Sequence, residues 1–284
     1  MTSDTNLLLH ALDERLEKFR MQYKLCRRDF SEPAVHDLRV ASRRLLAGLE
    51  LARVVLPKPS LQKARRVLKD FLDELDELRD IQVQLVDFAK LLNEFPQLES
   101  IVKRLKKRET KLLETASKVL KKSKLTGINQ RVEKARARLA RDIPESGFDA
   151  SLLRAVDEAF ARARQAYGRL DAMDADSVHR LRIAFKKFRY SVEVAAPLLG
   201  ETPADYFKSM HAYQSRMGNV QDARVMLEML AGFAKRNSQA ELSPVRQALE
   251  NRRDKLIGKF MKSKEELMNF WRATPEAAFP WEAR

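Results

Sequence analysis

The segment VHDLRVASRRL, residues 35–45, occurs a second time as VHRLRIAFKKF, residues 178–188. The apolar positions of both copies follow the three- and four-residue spacing of a helix with one buried face. A further segment, LRDIQVQL at residues 78–85, matches VQDARVML at residues 220–227. The offsets are 143 and 142 residues, so the two segments repeat in the same order at nearly the same distance. This repetition predicts an internally duplicated protein.

Helical periodicity continues along nearly the whole chain, and the composition agrees with it. Of the 284 residues, 44% are hydrophobic and 33% are charged, with only 8 glycines and 10 prolines. Such a mixture favours long helices around a full core. Helices are predicted over residues 4–29, 32–56, 60–93, 96–122, 128–141, 149–172, 175–198, 203–234 and 239–271. The predicted fold is all-α, an internally duplicated pair of four-helix bundles whose halves, 1–142 and 143–284, meet at IPESG, residues 143–147.

Each copy of the first motif places a row of basic side chains opposite its apolar stripe. The candidate polyanion-binding residues of the first copy are His36, Arg39, Arg43 and Arg44. Those of the second copy are His179, Arg182, Lys186, Lys187 and Arg189. Like charges one helical turn apart repel, so a helix that needed only solubility would interleave acids among them. The rows therefore predict a polyanionic ligand. The alternative is a solvated face whose long side chains cover nearby apolar surface.

A histidine stands near the start of each repeated helix, after the candidate N-caps Ser31 and Asp174. Unpaired backbone N–H groups at a helix start favour anions, and an imidazole donates a hydrogen bond to phosphate. The alternative for His36 and His179 is a hydrogen bond to a neighbouring helix. Neither histidine has a second metal-ligating residue at a recognisable spacing, so we predict no metal and no cofactor.

The third helix of each half repeats the basic pattern more weakly. The secondary candidates for polyanion binding are Arg66, Lys69, Lys208 and His211. The first two correspond to the last two at the offset of 142 residues, and ion pairs with nearby acids are the alternative role. Asp80 and Asp222 also correspond. We expect these carboxylates to hold a basic side chain of a neighbouring helix, because a carboxylate repels a polyanion.

The formal net charge of +15 predicts an acidic partner. Residues 103–141 carry 15 Lys and Arg against 3 acids, which supports nucleic-acid binding as an alternative function. Against it, no aromatic residue between Phe95 and Phe148 offers a stacking platform, and no helix-turn-helix or zinc finger is recognisable. A solvated, highly charged helix pair is the other interpretation of this segment.

The two motifs, His-x-x-Arg-(Val/Ile)-Ala-x-(Arg/Lys)-(Arg/Lys) and (Leu/Val)-x-Asp-x-x-Val, resemble those of the CHAD family, the conserved-histidine α-helical domain. The resemblance covers about Thr5 to Phe270. It implies two four-helix bundles related by a pseudo-twofold axis, with a basic groove or pore between them. It also implies binding of inorganic polyphosphate and association with polyphosphate-rich bodies. Family members are often fused to a CYTH-type triphosphatase domain, and this chain resembles the stand-alone form.

By the same resemblance, the candidate residues of the first copy line one side of the groove and those of the second copy line the other. The second copy has Lys186 and Lys187 where the first has Arg43 and Arg44. Lysine binds phosphate as a point charge and lacks the bidentate fork of arginine. We therefore expect the two halves to contribute unequally to binding.

Other features argue against an enzyme and against membrane insertion. The chain has no glycine-rich phosphate loop, and the acids of residues 70–80 are spread around a helix, which suits salt bridges better than a metal site. We therefore predict a non-enzymatic protein, with a polyphosphate hydrolase or kinase as the alternative. Cys26 is the only cysteine, and no apolar run reaches the length of a signal peptide or a membrane span. A cytoplasmic protein is predicted.

Overall fold

A computed structural model of the chain describes residues 7–122, 125–143, 148–235 and 241–282. Within these ranges the chain is helical and has no strand, which confirms the all-α prediction. The α-helices are α1 Leu7–Arg28, α2 Glu32–Val55, α3 Pro59–Lys90, α4 Glu99–Lys122, α5 Leu125–Asp142, α6 Phe148–Tyr167, α7 Ala175–Ala195, α8 Tyr206–Ala234 and α9 Ser243–Lys262. No helix in the described part of the chain is long and apolar enough to cross a membrane.

Two predicted helices, 149–172 and 239–271, end earlier than expected. After α6, which ends at Tyr167, the backbone N–H of Asp171 donates to the hydroxyl of Ser177 at 3.0 Å, and this turn replaces the predicted last helical residues. After Lys262, a 3-10 helix, Lys264–Phe270, takes the place of the predicted α-helical end. The predicted helical residues 4–6 and 239–240 lie outside the described ranges.

The chain forms two compact units, each assembled from separate stretches of sequence. The first contains residues up to Val86, Arg104–Ala155 and Tyr190–Leu198. The second contains Asp87–Lys103, Val156–Arg189 and the residues from Leu199 onwards. The division at residues 142 and 143, the duplication, the pseudo-twofold axis and the basic groove stay predictions, and residues 144–147 of the predicted boundary lie outside the described part.

In the first unit, the apolar stripe of α2 is buried as its periodicity predicts. Leu38, Leu45 and Leu49 are fully buried, and α2 packs along α1. Gly48 permits close approach of the two helices, because a Cβ atom there would lie only 2.9 Å from Cδ2 of Leu12. Burying each leucine stabilises the fold by about 1.5–3 kcal/mol. This packing leaves the opposite side of α2, which carries Arg39 and Arg43, in contact with Asp76 of α3.

In the second unit, aromatic side chains fix α7 against α8 and the C-terminal segment. Phe185 of α7 packs on Tyr213 of α8 with ring centroids 4.9 Å apart. Trp271 is buried and donates its indole N–H to Oδ1 of Asp157 at 2.7 Å. Arg272 binds the same carboxylate through two hydrogen bonds of 2.9 and 2.7 Å. Trp271 and Arg272, which follow α9, therefore pack onto this core.

The N-terminal ends of α2 and α7 determine how far each histidine lies from the start of its helix. Asp174 caps α7, since its Oδ1 accepts the backbone N–H of Asp176 at 2.8 Å. Ser31 precedes α2 in an extended conformation, but its hydroxyl makes no capping bond and donates instead to Asp29. His36 and His179 are each the fifth residue of their helix. They therefore follow the four residues whose backbone N–H groups lack a partner within the helix.

Candidate functional site

The first basic face, defined by His36, Arg39 and Arg43 of α2, contacts α3 at Asp76. The guanidinium of Arg39 donates to Oδ1 of Asp76, and Nη2 of Arg43 lies 3.4 Å from the same oxygen. The side chain of Arg39 is 4% exposed, that of Arg43 34% and that of Asp76 42%. One carboxylate therefore holds both arginines, and it is the most exposed of the three charged groups.

Burial and neighbouring charges shift the pKa values within the first basic face. Burial lowers the pKa of Arg39, the charge of Arg43 lowers it further, and Asp76 opposes both effects. Burial also raises the pKa of Asp80, while the charge of Arg39 acts in the opposite direction. We expected Asp80 to hold a basic side chain of a neighbouring helix. The carboxylate that accepts the hydrogen bond from Arg39 is Asp76, one turn earlier on the same side of α3.

Arg44 lies in a different contact from the other two arginines of its motif. Its Nε atom is 3.4 Å from Oε2 of Glu193, and both residues belong to the first unit. His36 is exposed on α2. The structure therefore brings Arg39 and Arg43 together on one carboxylate and places Arg44 beside another.

The second basic face, defined by His179, Arg182 and Lys186 of α7, contacts α8. Burial lowers the pKa of His179, and the charges of Arg224 and Arg182 lower it further. A hydrogen bond with Gln221 acts in the opposite direction and joins the imidazole to α8. A histidine and two arginines are thus concentrated at one place in the second unit.

Arg224 belongs to this cluster, although the sequence analysis did not select it. Its Nη1 atom lies 3.2 Å from Oδ1 of Asp176 and 2.5 Å from Oε1 of Glu228. The first copy of the repeat has the neutral Gln82 at the corresponding position, so Arg224 is not part of the motif that the two copies share. The spacing of three residues between Gln221 and Arg224, which puts both on one side of α8, was the available signal.

The remaining candidates of the second copy differ in their access to solvent. Lys186 is half-buried and Lys187 is exposed. Arg189 is buried, and its Nε atom donates to Oε1 of Gln214 at 3.0 Å. Arg189 therefore joins α7 to α8, whereas Lys187 faces solvent.

Position 218 of α8 corresponds to position 76 of α3 at the offset of 142 residues. Gly218 stands there, and a Cβ atom on it would lie 3.7 Å from Nε of Arg182. Position 218 thus lies beside Arg182, as position 76 lies beside Arg39. The first face has a carboxylate where the second has no side chain. Neither position lies within the two repeated segments, although the repeat offset aligns them.

The secondary candidates lie on exposed surface of α3 and α8. Arg66 and Lys208 are exposed. Lys69 forms an ion pair with Asp73 on the same helix. His211 is exposed, and its Nδ1 atom lies 3.4 Å from the hydroxyl of Ser215. Lys69 therefore matches the ion-pair alternative, and the binding role of all four residues stays a prediction.

The basic segment 103–141 includes cations in ion pairs and cations on open surface. Ion pairs join Lys103 to Glu99, Arg108 to Glu77, Arg136 to Asp13 and Arg141 to Asp142. Arg104, Lys107 and Lys111 are exposed on α4. The side chains of residues 119, 121 and 122, and residues 123–124, lie outside the described part.

The chain is similar to known proteins both in its family and in its fold. A family model described as the CHAD domain matches residues 10–231. The crystal structure of the CHAD domain from the plant Ricinus communis is 21% identical with a TM-score of 0.70, over 94% of this chain and 90% of that chain. PptA from Streptomyces chartreusis is 17% identical with a TM-score of 0.72, over 94% of this chain and 99% of that chain. No curated protein sequence matches the chain. At these identities, the two solved structures show a shared fold.

Proposed function

The chain belongs to the CHAD-domain family, and from this premise we propose that it binds inorganic polyphosphate, without enzymatic turnover, through its two basic faces. The family is linked to polyphosphate binding. The proposal includes a cytoplasmic location at polyphosphate-rich bodies. It requires that the residues of α2 and α7 contact phosphate groups directly.

The observation that carries the proposal is the grouping of His179 with Arg182 and Arg224, of which Arg224 also pairs with Asp176 and Glu228. Burial lowers the pKa of this imidazole, and the charges of Arg224 and Arg182 lower it further. Holding like charges together costs free energy, and a bound polyanion offsets that cost. Arg39 and Arg43 repeat the pattern on α2, where their charges converge on a single carboxylate oxygen.

The side chains of the second face match the chemistry of a phosphate chain. Polyphosphate carries about one negative charge per phosphate, closely spaced and without bases to recognise, so cations supply the affinity. The guanidinium of Arg182 offers paired N–H donors, and Lys186 offers a point charge. His179 donates one hydrogen bond when neutral and two when protonated. Affinity should fall steeply with salt, as it does for nucleic acids.

A competition titration tests the proposal. Long-chain polyphosphate is titrated into the purified protein at about 0.15 M salt, where the screening length is about 8 Å, and duplex DNA of equal total charge is then added as competitor. We expect saturable binding of polyphosphate that DNA does not displace. Displacement of polyphosphate by DNA would favour nucleic-acid binding as the function. Absence of binding to polyphosphate would overturn the proposal.

The non-enzymatic part of the proposal is supported by the ion pairs of α3. Three acids of the cluster at residues 70–80 contact basic side chains: Asp73 pairs with Lys69, Asp76 with Arg39, and Glu77 with Arg108. These contacts match the salt-bridge role expected for the cluster. Incubation with polyphosphate and Mg²⁺ should release no phosphate above a protein-free control. Mg²⁺-dependent release that tracks the protein through purification would contradict this part.

Nucleic-acid binding is the second candidate, and the exposed cations of α4 favour it. Arg104, Lys107 and Lys111 face solvent, while the apolar side of the helix is buried at Leu105 and Ala116. Such a surface contacts phosphates without reading bases. In the competition titration, DNA binding that is lost on Lys107→Ala with Lys111→Ala would establish this function.

A further inference from the structure

The first unit contains a pocket of about 260 Å³ where the last two turns of α1 meet the first residue of α5. The residues that line it are Tyr23, Lys24, Arg27, Arg28 and Leu125. The side chain of Tyr23 is buried, and its hydroxyl donates to the backbone carbonyl oxygen of Leu120 in α4 at 2.7 Å. This hydrogen bond fixes one wall of the pocket to α4, and none of the five lining residues belongs to either basic face.

Positive charge dominates the lining of this pocket, which we call the α1 pocket. Two of the five lining residues are uncharged, and the other three are the exposed cations Lys24, Arg27 and Arg28. Arg20, one turn earlier on α1, forms ion pairs with both Glu17 and Glu133. Within the part of the chain that the structure describes, no such ion pair involves the three pocket cations. The pocket therefore has three positive charges that its own lining does not offset.

The stability of α1 explains only part of this arrangement. Arg27 and Arg28 belong to the last turn of the helix, where positive side chains interact favourably with the helix dipole. Lys24 lies before that turn, four residues from Arg28, and like charges at this spacing repel. Stabilisation of the helix end therefore accounts for the two arginines, but it does not account for Lys24 or for the pocket that all three cations surround.

The size and the lining of the α1 pocket suit a compact anion. Pockets for drug-sized ligands have volumes of about 300–1,000 Å³, so this pocket suits a smaller molecule. Arginine binds phosphate oxygens through two parallel hydrogen bonds, and lysine adds a point charge. A phosphate group carries about 1.5 to 2 negative charges at neutral pH, so two linked groups match three cations. The apolar surface of Tyr23 and Leu125 lowers the local dielectric constant, which strengthens these attractions.

We propose that the α1 pocket binds a compact oligophosphate, such as inorganic pyrophosphate, at a site separate from the two basic faces. The inference does not rest on the proposed function, because the pocket and the faces share no residue. The same linked phosphate groups occur as a free anion and at the end of a polyphosphate chain. Either source presents a group that enters a small pocket by its end, whereas the middle of a long chain requires a continuous groove.

Calorimetric titration with inorganic pyrophosphate, at about 0.15 M salt and without Mg²⁺, tests the pocket. Lys24→Ala with Arg28→Ala removes two of its three cations, and we expect this folded variant to bind pyrophosphate about tenfold more weakly. Lys255→Ala with Lys259→Ala is the matched control, because it removes the same charge from two exposed positions of α9 that are also four residues apart. Leu125→Phe keeps every charge and fills part of the pocket, so it should weaken binding as well.

The outcomes separate this inference from the proposed function. Weaker binding by both pocket variants, with the α9 variant unchanged, would support the inference. Equal affinities of the two double variants would overturn it, because net charge and not the pocket would then govern binding. Wild-type affinity in Leu125→Phe, or a wild-type protein that binds no pyrophosphate, would overturn it too. In each of these cases polyphosphate binding by the basic faces is measured separately and is unaffected.

Long-chain polyphosphate with free or with amidated ends, added as a competitor, identifies the source of the ligand. Displacement of pyrophosphate only by chains with free ends would show that a chain end enters the pocket. Displacement by neither kind of chain would show that the pocket takes the free anion. Equal displacement by both kinds would mean that the pocket admits the middle of a chain, and would overturn the assignment of a compact ligand.

Discussion

The two basic faces share a motif but use their arginines differently. On α2, Arg39 is 4% exposed and donates to Asp76, a residue 37 positions away on α3. On α7, the equivalent arginine, Arg182, lies beside Gly218 and helps to lower the pKa of His179. The same residue type at the same motif position thus contacts an aspartate in one face and lies near a histidine in the other. A repeated motif therefore does not ensure repeated chemistry, because the partner on the next helix determines the role.

The largest change that we expect is in the stability of the first face, when Asp76 is replaced. Asp76→Ala leaves the buried guanidinium of Arg39 without its carboxylate, and we expect the free energy of unfolding to fall by about 2–3 kcal/mol. Asp73→Ala, which removes an exposed ion pair with Lys69, should cost less than about 1 kcal/mol. Urea denaturation of both variants measures the difference. Equal losses would show that Asp76 has no special structural role in the first face.

A smaller effect, on binding, should appear when the pH is lowered. In the free protein, burial and the charges of Arg224 and Arg182 hold the pKa of His179 below its ordinary value. The negative charge of a bound polyanion raises that pKa, so binding takes up a proton. The affinity for polyphosphate therefore increases as the pH falls from the pKa of His179 in the complex towards its pKa in the free protein. Between about pH 7.5 and about pH 5.5, the dissociation constant should fall several-fold.

Two histidine variants test whether this pH dependence comes from His179. His179→Gln should flatten it, whereas His10→Gln, which changes an exposed histidine of α1, should leave it unchanged. Dissociation constants measured across the pH range for both variants provide the test. If the His179→Gln variant keeps the full pH dependence, protonation of His179 does not contribute to binding.

The smallest expected effect again distinguishes position 218 from position 76. Gly218→Ala should stabilise the protein by up to about 1 kcal/mol, because alanine is the better helix former and the new methyl group fits beside Arg182. Thermal unfolding of the variant measures the gain. Destabilisation by alanine would mean that the packing around position 218 requires the glycine.

The sequence was sufficient to predict the helices and the orientation of α2 and α7. Their apolar residues recur with helical periodicity, and Leu38 and Leu181 are fully buried. Periodicity also placed Arg39 and Arg43 on one side of α2. It could not identify Asp76 as their partner, because that contact depends on how α2 packs against α3. For the same reason Arg189, selected as a binding residue, was not expected to be buried against Gln214.

The alignment of the repeats contained one further signal that the apolar pattern did not reveal. Position 76 aligns with position 218, and an aspartate facing a glycine is a change of charge at a shared position. The structure adds that both positions lie beside an arginine of the first motif.

We propose that the basic face of α7 binds polyphosphate, and a pair of variants matched in charge tests this assignment. Polyphosphate is titrated at about 0.15 M salt into the double variant Arg182→Ala with Lys186→Ala, and into Lys107→Ala with Lys111→Ala, which loses the same charge from α4. Each lost charge-assisted hydrogen bond is worth about 1.5 kcal/mol or more, so the first variant should bind about 100-fold more weakly. The α4 variant should bind nearly as the wild type does. Equal losses in the two folded variants would mean that net charge alone drives binding, and would contradict the account.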